Sequence, residues 1–443
     1  MFFKQSVILL VFALFVLCNG AGNNISDLKQ YPKAKWTVAV YMNGDNDLET
    51  SITGGTTMEN GKEIILPGDF HYELASPGSN NDVHIVALVD RSPDHATNAD
   101  NWTNSRLYYI NKDDYPDNTH STYWVNGTKV EMNMADPNTL TWFLKTVQEK
   151  FPSEHLYVSL WDHNWGWHAE EFQKDETSES DTMDYTHLYA ALKKQSRSLP
   201  TIDVLGYDAC VSSQIEVLHT WRLFADTFVG SQDYVGWGGV DYSIVVSALQ
   251  ANPLLTPQEL TVVIADSMLT DSDDHCASSF NLDATFDELV SHVDTLAGLF
   301  IQYLDTIRDT LESIRDQAPQ TPRWPEDEFH RDLYGIATGV VANLKEYPDL
   351  VDAATNIMRT FDASIIYNNF NSAATARSCQ GGKGLTIYWT KSSQRPSVDY
   401  LTTSFAQATR WDEFLTAFRL DLHLSVLKYS SGMCILLIFL IDY

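Results

Sequence analysis

A chain of 443 residues with 44% hydrophobic and 20% charged side chains is long enough to bury a substantial core, which excludes a largely disordered protein. Lys+Arg 29 against Asp+Glu 59 leaves a formal net charge of -30, a balance that repels nucleic acid and anionic membrane surfaces and favours cationic partners such as basic peptides. Acidity of this kind also serves solubility alone.

At the amino end Lys4 precedes the apolar run 7–17 and the small residues Gly20, Ala21 and Gly22. This is the pattern of a secretory signal over residues 1–22, too short to span a bilayer. Sequons at Asn24, Asn101 and Asn126 agree with a secreted or lumenal glycoprotein, a lysosome-like compartment included. The apolar run 433–441 in the tail 421–443 is also too short for a stable membrane span, and that tail has no assigned role.

Strand-like runs follow at 36–42, 83–89, 156–161 and 202–207, with further candidates at 224–229 and 384–389. They alternate with helix-like segments, which predicts an α/β fold with a mostly parallel sheet sandwiched by helices over residues 33–285. Residues 105–130 read as a hairpin inserted on one edge, because Leu107, Tyr108, Tyr109 and Ile110 precede an Asp-Asp-Tyr-Pro-Asp-Asn turn signal. The acid-rich stretch 170–184 reads as a mobile, solvated loop.

From Leu289 onward, apolar residues recur at Val293, Leu296, Phe300, Leu304, Ile307, Leu311 and Ile314, the 3.6-residue period of a long amphipathic helix. Pro319, Pro322 and Pro325 mark its end, and a second helix is expected at 334–344. Residues 286–365 therefore form a helical extension, and 366–420 supply a terminal strand and helix that complete the core.

Two strands end on chemistry. The run LYVSLW stops at Asp162, His163, Asn164 and Gly166, and the run IDVLGY stops at Asp208, Ala209 and Cys210. Consecutive strands of a right-handed parallel unit bring their carboxyl ends to one edge, about 5 Å apart per strand step. A cysteine there, ahead of an expected helix beginning near Glu216, meets N–H groups and a positive dipole end that favour the thiolate. A buried small residue at a turn is the plainer alternative. The Cys/His pair at one rim is the minimum equipment for attack on a carbonyl.

The stretches WTVAVYMNGDNDLE, LWDHNWGW and GYDAC, in that order and spacing, resemble the clostripain family of cysteine peptidases, relatives of caspases, gingipains and legumain. The resemblance runs from about residue 36 to about 241 and more loosely to RWDEFLTAF at 410–418. It implies a caspase-like fold, a thiol protease hydrolysing peptide bonds after Arg or Lys through a thioester, and His163 and Cys210 as the catalytic dyad. It also implies Asp208 near the pocket for the side chain before the scissile bond.

Asp233, Trp237 and Asp241 in GSQDYVGWGGVDYS are further candidates to line that pocket. The backbones of Cys210 and Asn164 are the candidate oxyanion donors, although the family usually has glycine where Asn164 stands; asparagine tolerates positive φ and keeps its N–H. An orienting group could come from the turn Asn43–Asp47, which is equally turn and cap chemistry. Calcium is implied by the resemblance, with the oxygen ligands of 170–184 as an alternative reading of that stretch, no cofactor being needed by the dyad; Lys174 is the candidate self-cleavage point in the interval between the two catalytic residues. Pairing of Cys276 with Cys379 would leave Cys210 free, as the nucleophile must be. The competing readings are an inactive homologue that binds peptides or proteins in the same crevice, and a transpeptidase using the same dyad.

Overall fold

Every central strand of the sheet carries apolar side chains on both faces, so the sheet must be covered on both sides. The computed structural model describes residues 28–53, 55–59, 62–66, 68–95, 102–112, 122–124, 131–168, 172–270, 276–321, 329–370 and 381–419. The signal, the asparagines of the three sequons, Cys379 and the tail lie outside the described residues.

The sheet has nine strands: β1 (Ala34–Gly44), β2 (Val83–Arg91), β3 (Arg106–Tyr109), β4 (Thr122–Trp124), β5 (Ser153–Trp161), β6 (Ile202–Asp208), β7 (Ala225–Gly230), β8 (Cys276–Asn281) and β9 (Ile365–Phe370). Their spatial order is β9-β8-β7-β6-β5-β1-β2-β3-β4. The five strands from β7 to β2 run parallel, while β8 and β9 on one side and β3 and β4 on the other are antiparallel.

Alternation along β1 shows how the core divides. Ala39 and Tyr41 point into one hydrophobic cluster, and Trp36, Val38, Val40 and Met42 into the other. Under the first face pack α1 (Pro137–Lys150), α2 (Tyr185–Gln195) and α3 (Ile215–Trp221). Under the second pack α4 (Tyr242–Ala251) and α5 (Pro257–Ser267). Side-chain caps fix several helix starts: Asp136 accepts from Asn138 N–H, Asp184 from His187 N–H, and Thr256 and Glu259 form a reciprocal capping box.

The expected long helix is α6 (Ala284–Gln317), 34 residues whose buried stripe includes Phe300, Leu304, Ile307 and Leu311. It packs with α7 (Leu333–Asn343), α8 (Pro348–Ser364) and α9 (Trp411–Phe418), and its buried side chains join the first-face cluster.

Three expectations are corrected here. The candidate strand 384–389 does not enter the main sheet: Thr386–Tyr388 pairs with His330–Asp332 in a separate two-stranded ladder, while β8 and β9 take the edge. The helix after Cys210 begins at Ile215, beside Glu216 as expected, but it has only seven residues and does not start at the sulfur, because Ser212 and Ser213 turn back to Ser231. Its dipole therefore does not act directly on the sulfur.

The third concerns the acid-rich loop, whose described part, 172–184, is held in place. Met183 N–H donates to Phe172 C=O, Asp175 bridges Asp181, and Gln173, Glu179 and Ser180 take positive φ. Its carboxylates bind backbone N–H groups, which composition alone does not reveal. Cys276 in β8 is disulfide-bonded and Cys210 is free.

Candidate active site

β5 and β6 pair in parallel with Trp161 opposite Asp208. His163 and Cys210 each lie two residues beyond that pair, so both leave the same edge of the sheet at the same level. Two bonds tie the ends together: Asp162 N–H donates to Asp208 C=O at 3.3 Å, and Asn164 Nδ2 donates to Cys210 C=O at 2.8 Å.

The turn after β1 supports the histidine. Asp47 Oδ1 lies 2.8 Å from His163 Nε2, and this contact holds the Asp47 carboxyl below its ordinary range. Beneath it, the buried Asp162 accepts from Asn43 Nδ2 at 2.9 Å, Asn46 Nδ2 at 2.8 Å and His163 N–H at 2.6 Å. The same two asparagines also donate to the carbonyl of Lys174, at 2.8 Å and 3.2 Å. The side chains of Asn43, Asn46 and Asp47, and that of Asp45 through Thr177 N–H at 2.7 Å, thus make specific contacts beyond forming a turn.

Cys210 is partly exposed, and Val235 N–H points at its sulfur from 3.3 Å. Val211, the next residue, is fully buried with φ 50, a left-handed conformation that costs a β-branched residue about 1–2 kcal/mol. Its N–H donates to Asp233 C=O at 2.8 Å, which helps hold the kink that turns the chain away after the sulfur.

Asn164 does not take the conformation its position suggests. The left-handed residue of that loop is Gly166, φ 70, where a Cβ would meet the Gln214 side chain. Gln214 Oε1 instead accepts from Trp167 N–H at 2.9 Å. Asn164 is buried with its side chain between Cys210 C=O and the Tyr185 hydroxyl, and its own N–H has no partner among the described residues.

Asp208 is buried under the loop 233–240. Val240 N–H donates to Oδ1 at 3.0 Å, and Gly239, φ 50, lies so close that a Cβ would stand 2.4 Å from that oxygen. Oδ2 is buried with no partner among the described residues, and burial pushes the carboxyl up to about 7. Trp237 lies partly exposed in the same loop. Asp233 and Asp241 are committed otherwise: Asp233 Oδ1 accepts from Tyr234 N–H, and Asp241 caps α4 through Ile244 N–H.

Two further acids stand behind Asp208, and nothing in the sequence singled them out. Asp69 accepts from Trp161 Nε1 at 2.6 Å, and Glu73 from Tyr242 N–H at 2.9 Å. Burial and neighbouring negative charge push Asp69 well up and Glu73 to about 8. Helical spacing in DFHYEL puts both on one face, but no motif distinguishes them from solvated acids.

A second acidic group lies at the far side of the β1 turn. Asp45, Asp90, Glu131 and Asp175 each bring a carboxylate oxygen within 4.8 Å of the others. Asp45, Asp90 and Asp175 are buried and Glu131 is exposed.

The clostripain family model matches residues 40–422 of the chain. The chain belongs to the clostripain family of cysteine peptidases. The fold is shared with a secreted C11 cysteine protease from Bacteroides thetaiotaomicron solved with an irreversible peptide inhibitor, at TM-score 0.59 and 18% identity over 86% of this chain and 100% of that one. It is shared equally with an inactive zymogen C11 protease from Parabacteroides distasonis, at TM-score 0.58 and 19% identity over 87% and 99%. Comparison with curated protein sequences finds no match. This clostripain-family chain is thus a cysteine-type peptidase with a caspase-like sheet, and none of its described helices is long and apolar enough to cross a membrane.

Proposed function

We propose that the protein is a secreted or lumenal endopeptidase that cuts after Arg or Lys using Cys210 and His163. The observation that carries this reading is the register of Trp161 with Asp208, which delivers the sulfur and the imidazole to one rim. The Cys210 thiolate adds to the peptide carbonyl, forming a C–S bond, while the oxygen takes the negative charge opposite the N–H groups of Asn164 and Cys210. Collapse breaks the C–N bond, and the amine leaves with a proton from His163. Water then adds to the thioester, giving its proton to His163, and the acid departs as the thiolate is regenerated.

Because His163 Nε2 is engaged by Asp47, Nδ1 performs this proton transfer. The substrate cation is received by Asp208 Oδ2, with Trp237 as a wall; Asp233 and Asp241 shape the loop and add negative field.

Calcium fits the donor set of the four-carboxylate group, where Asp45, Asp90, Glu131 and Asp175 would hold it and it would supply positive charge; no bond-breaking step passes through it. Self-cleavage after Lys174 requires its carbonyl to leave Asn43 and Asn46 first, since that carbon is the one attacked. A mature chain beginning at Asp175 supports this cut, and one beginning elsewhere overturns it.

The test of the function is a set of fluorogenic peptides ending in Arg, Lys, Asp or Leu, assayed with wild type and Cys210→Ala. Turnover of the Arg and Lys peptides lost in the variant supports the proposal. Equal rates in both proteins remove the peptidase claim, and joined products on adding an amine acceptor indicate transpeptidation.

A further inference from the structure

A line of buried polar groups crosses the first-face core and ends on the backbone of Cys210. Trp221 Nε1 donates to the Tyr207 hydroxyl at 2.7 Å, the Tyr207 and Tyr185 hydroxyls lie 3.3 Å apart, and the Tyr185 hydroxyl donates to Asn164 Oδ1 at 3.3 Å. Asn164 Nδ2 completes the line on Cys210 C=O at 2.8 Å. None of these four residues is more than 3% exposed.

The direction of each bond follows from the groups themselves. An indole N–H can only donate, a peptide carbonyl can only accept, and each tyrosine has one hydroxyl proton. Trp221 therefore gives to Tyr207, Tyr207 to Tyr185, Tyr185 to Asn164 and Asn164 to Cys210, with no proton used twice. Turning the amide over would set its oxygen against the Cys210 carbonyl, so its orientation is fixed.

The peptide at the end of this line is held from both sides. Cys210 C=O takes the Asn164 amide, and the N–H of the same peptide, that of Val211, donates to Asp233 C=O at 2.8 Å. Such support matters because Val211 sits at φ 50, a strained conformation for a β-branched residue. Two residues earlier, Asp162 N–H donates to Asp208 C=O at 3.3 Å. Cys210 is thus pinned before and after to the segment that carries Asn164. Gly166, at φ 70, makes the left-handed turn of that segment, which leaves position 164 able to carry a side chain. A glycine at 164 would have no amide to give.

We infer that the Asn164 side chain is a positioning group: it ties the backbone of residue 164 to that of Cys210, so that the two N–H groups proposed to meet the oxyanion keep one fixed separation. Tyr185, Tyr207 and Trp221 hold the amide for this task and touch no substrate atom. The inference rests on Cys210 and His163 as the proposed dyad.

The experiment compares full-length wild type, Asn164→Ala, Tyr185→Phe and the double variant on an Arg peptide. Three further readouts accompany kcat and KM. Affinity for an Arg peptide aldehyde, which takes up the thiol as a tetrahedral hemithioacetal, reports the donors; alkylation of Cys210 by iodoacetamide reports the sulfur alone; deuterium uptake across 209–214 reports the clamp. Asn164→Ala keeps the backbone N–H and should lower kcat about 10- to 100-fold with KM little changed, the effect of misplacing a donor by about 1 Å. Aldehyde affinity should fall in step with kcat/KM, alkylation should keep the wild-type rate, and uptake across 209–214 should quicken. Tyr185→Phe keeps its ring in the core and should lower kcat severalfold alone, with no further loss in the double variant, because both groups act through one bond. Unchanged kcat and aldehyde affinity in Asn164→Ala overturn the inference, as does a fall in alkylation equal to the fall in kcat. Additive losses in the double variant overturn the part given to Tyr185. Wild type that cleaves no peptide fails the proposed function instead, and the uptake alone then decides the clamp: faster in Asn164→Ala supports it, unchanged overturns it.

Discussion

Asp208 places its carboxyl at a buried position where one oxygen is satisfied and the other is not. Replacing it with asparagine keeps the volume and removes the charge, which leaves a bound guanidinium or ammonium unpaired. Asp208→Asn is expected to lower kcat/KM for Arg and Lys peptides by about a hundredfold or more, since an unpaired buried cation costs several kcal/mol. A peptide with leucine at that place should be little affected. The check is the ratio of the two specificities in wild type and variant.

The same acids set a pH dependence. Asp208 and Glu73 have folded-state values raised to about 7 and about 8, above their ordinary values of 3.8 and 4.5. A raised acid contributes stability that is complete below its unfolded value and lost as pH rises through the folded one. The substrate-free protein should therefore melt at progressively lower temperature between about pH 5 and about pH 9, with Asp208→Asn showing a shallower decline. Thermal scans of the Cys210→Ala protein across that range measure it. A flat profile would contradict the burial of these charges.

At the scale of elements, the short, nearly continuous apolar runs of β1, β2, β5 and β6, buried on both faces, and the period-3.6 stripe of α6 were legible because run length and period separate a covered strand from a one-sided helix. The edge hairpin at β3 and β4 was legible from its turn residues. β8, CASSFN, was not: Ser278 and Ser279 are buried, and they bond to Ser213, Gly384 C=O and Thr261 instead of pointing to solvent, so no apolar run marks the strand. The strand at 386–388 was visible, but its ladder partner was not, because pairing is a property of tertiary contact.

The candidate dyad stood out by its place after two strands, whereas Asp69, Glu73 and the four-acid group did not, since distant carboxylates meet only in the fold. α6 makes its own test possible. Phe300 lies with ring centroids 4.9 Å from Phe414 and 5.9 Å from Trp389, joining the helical block to the terminal helix. Phe300→Ala should destabilise the protein by about 3–5 kcal/mol, the cost of a large cavity in a core. Urea unfolding with an unchanged m-value would show it, and a loss below about 1 kcal/mol would mean that the block packs more loosely than the cluster indicates.

For the whole molecule, a net charge of -30 spreads a negative field far wider than Asp208 alone. Cationic peptides are drawn toward such a surface, and added salt screens the attraction beyond about 10 Å at 0.1 M. Raising NaCl from about 0.02 M to about 0.5 M should lower kcat/KM for a Lys peptide with several flanking lysines more than for one with neutral flanks, chiefly through KM. Equal salt effects on both peptides would confine recognition to the pocket.

The proposed nucleophile Cys210 and the disulfide-bonded Cys276 make opposite demands on the redox state of their surroundings. Cys210 is partly open to solvent, whereas Cys276, in a cystine, is only 3% exposed between two neighbouring strands. Small thiols in the medium therefore reach the proposed nucleophile first, and a mild reductant is expected to restore activity to air-oxidised protein without opening its crosslink. If the proposed secretion and nucleophile both hold, such a protein would travel through an oxidising environment in a silenced form and be restored by the chemistry of the place where it arrives.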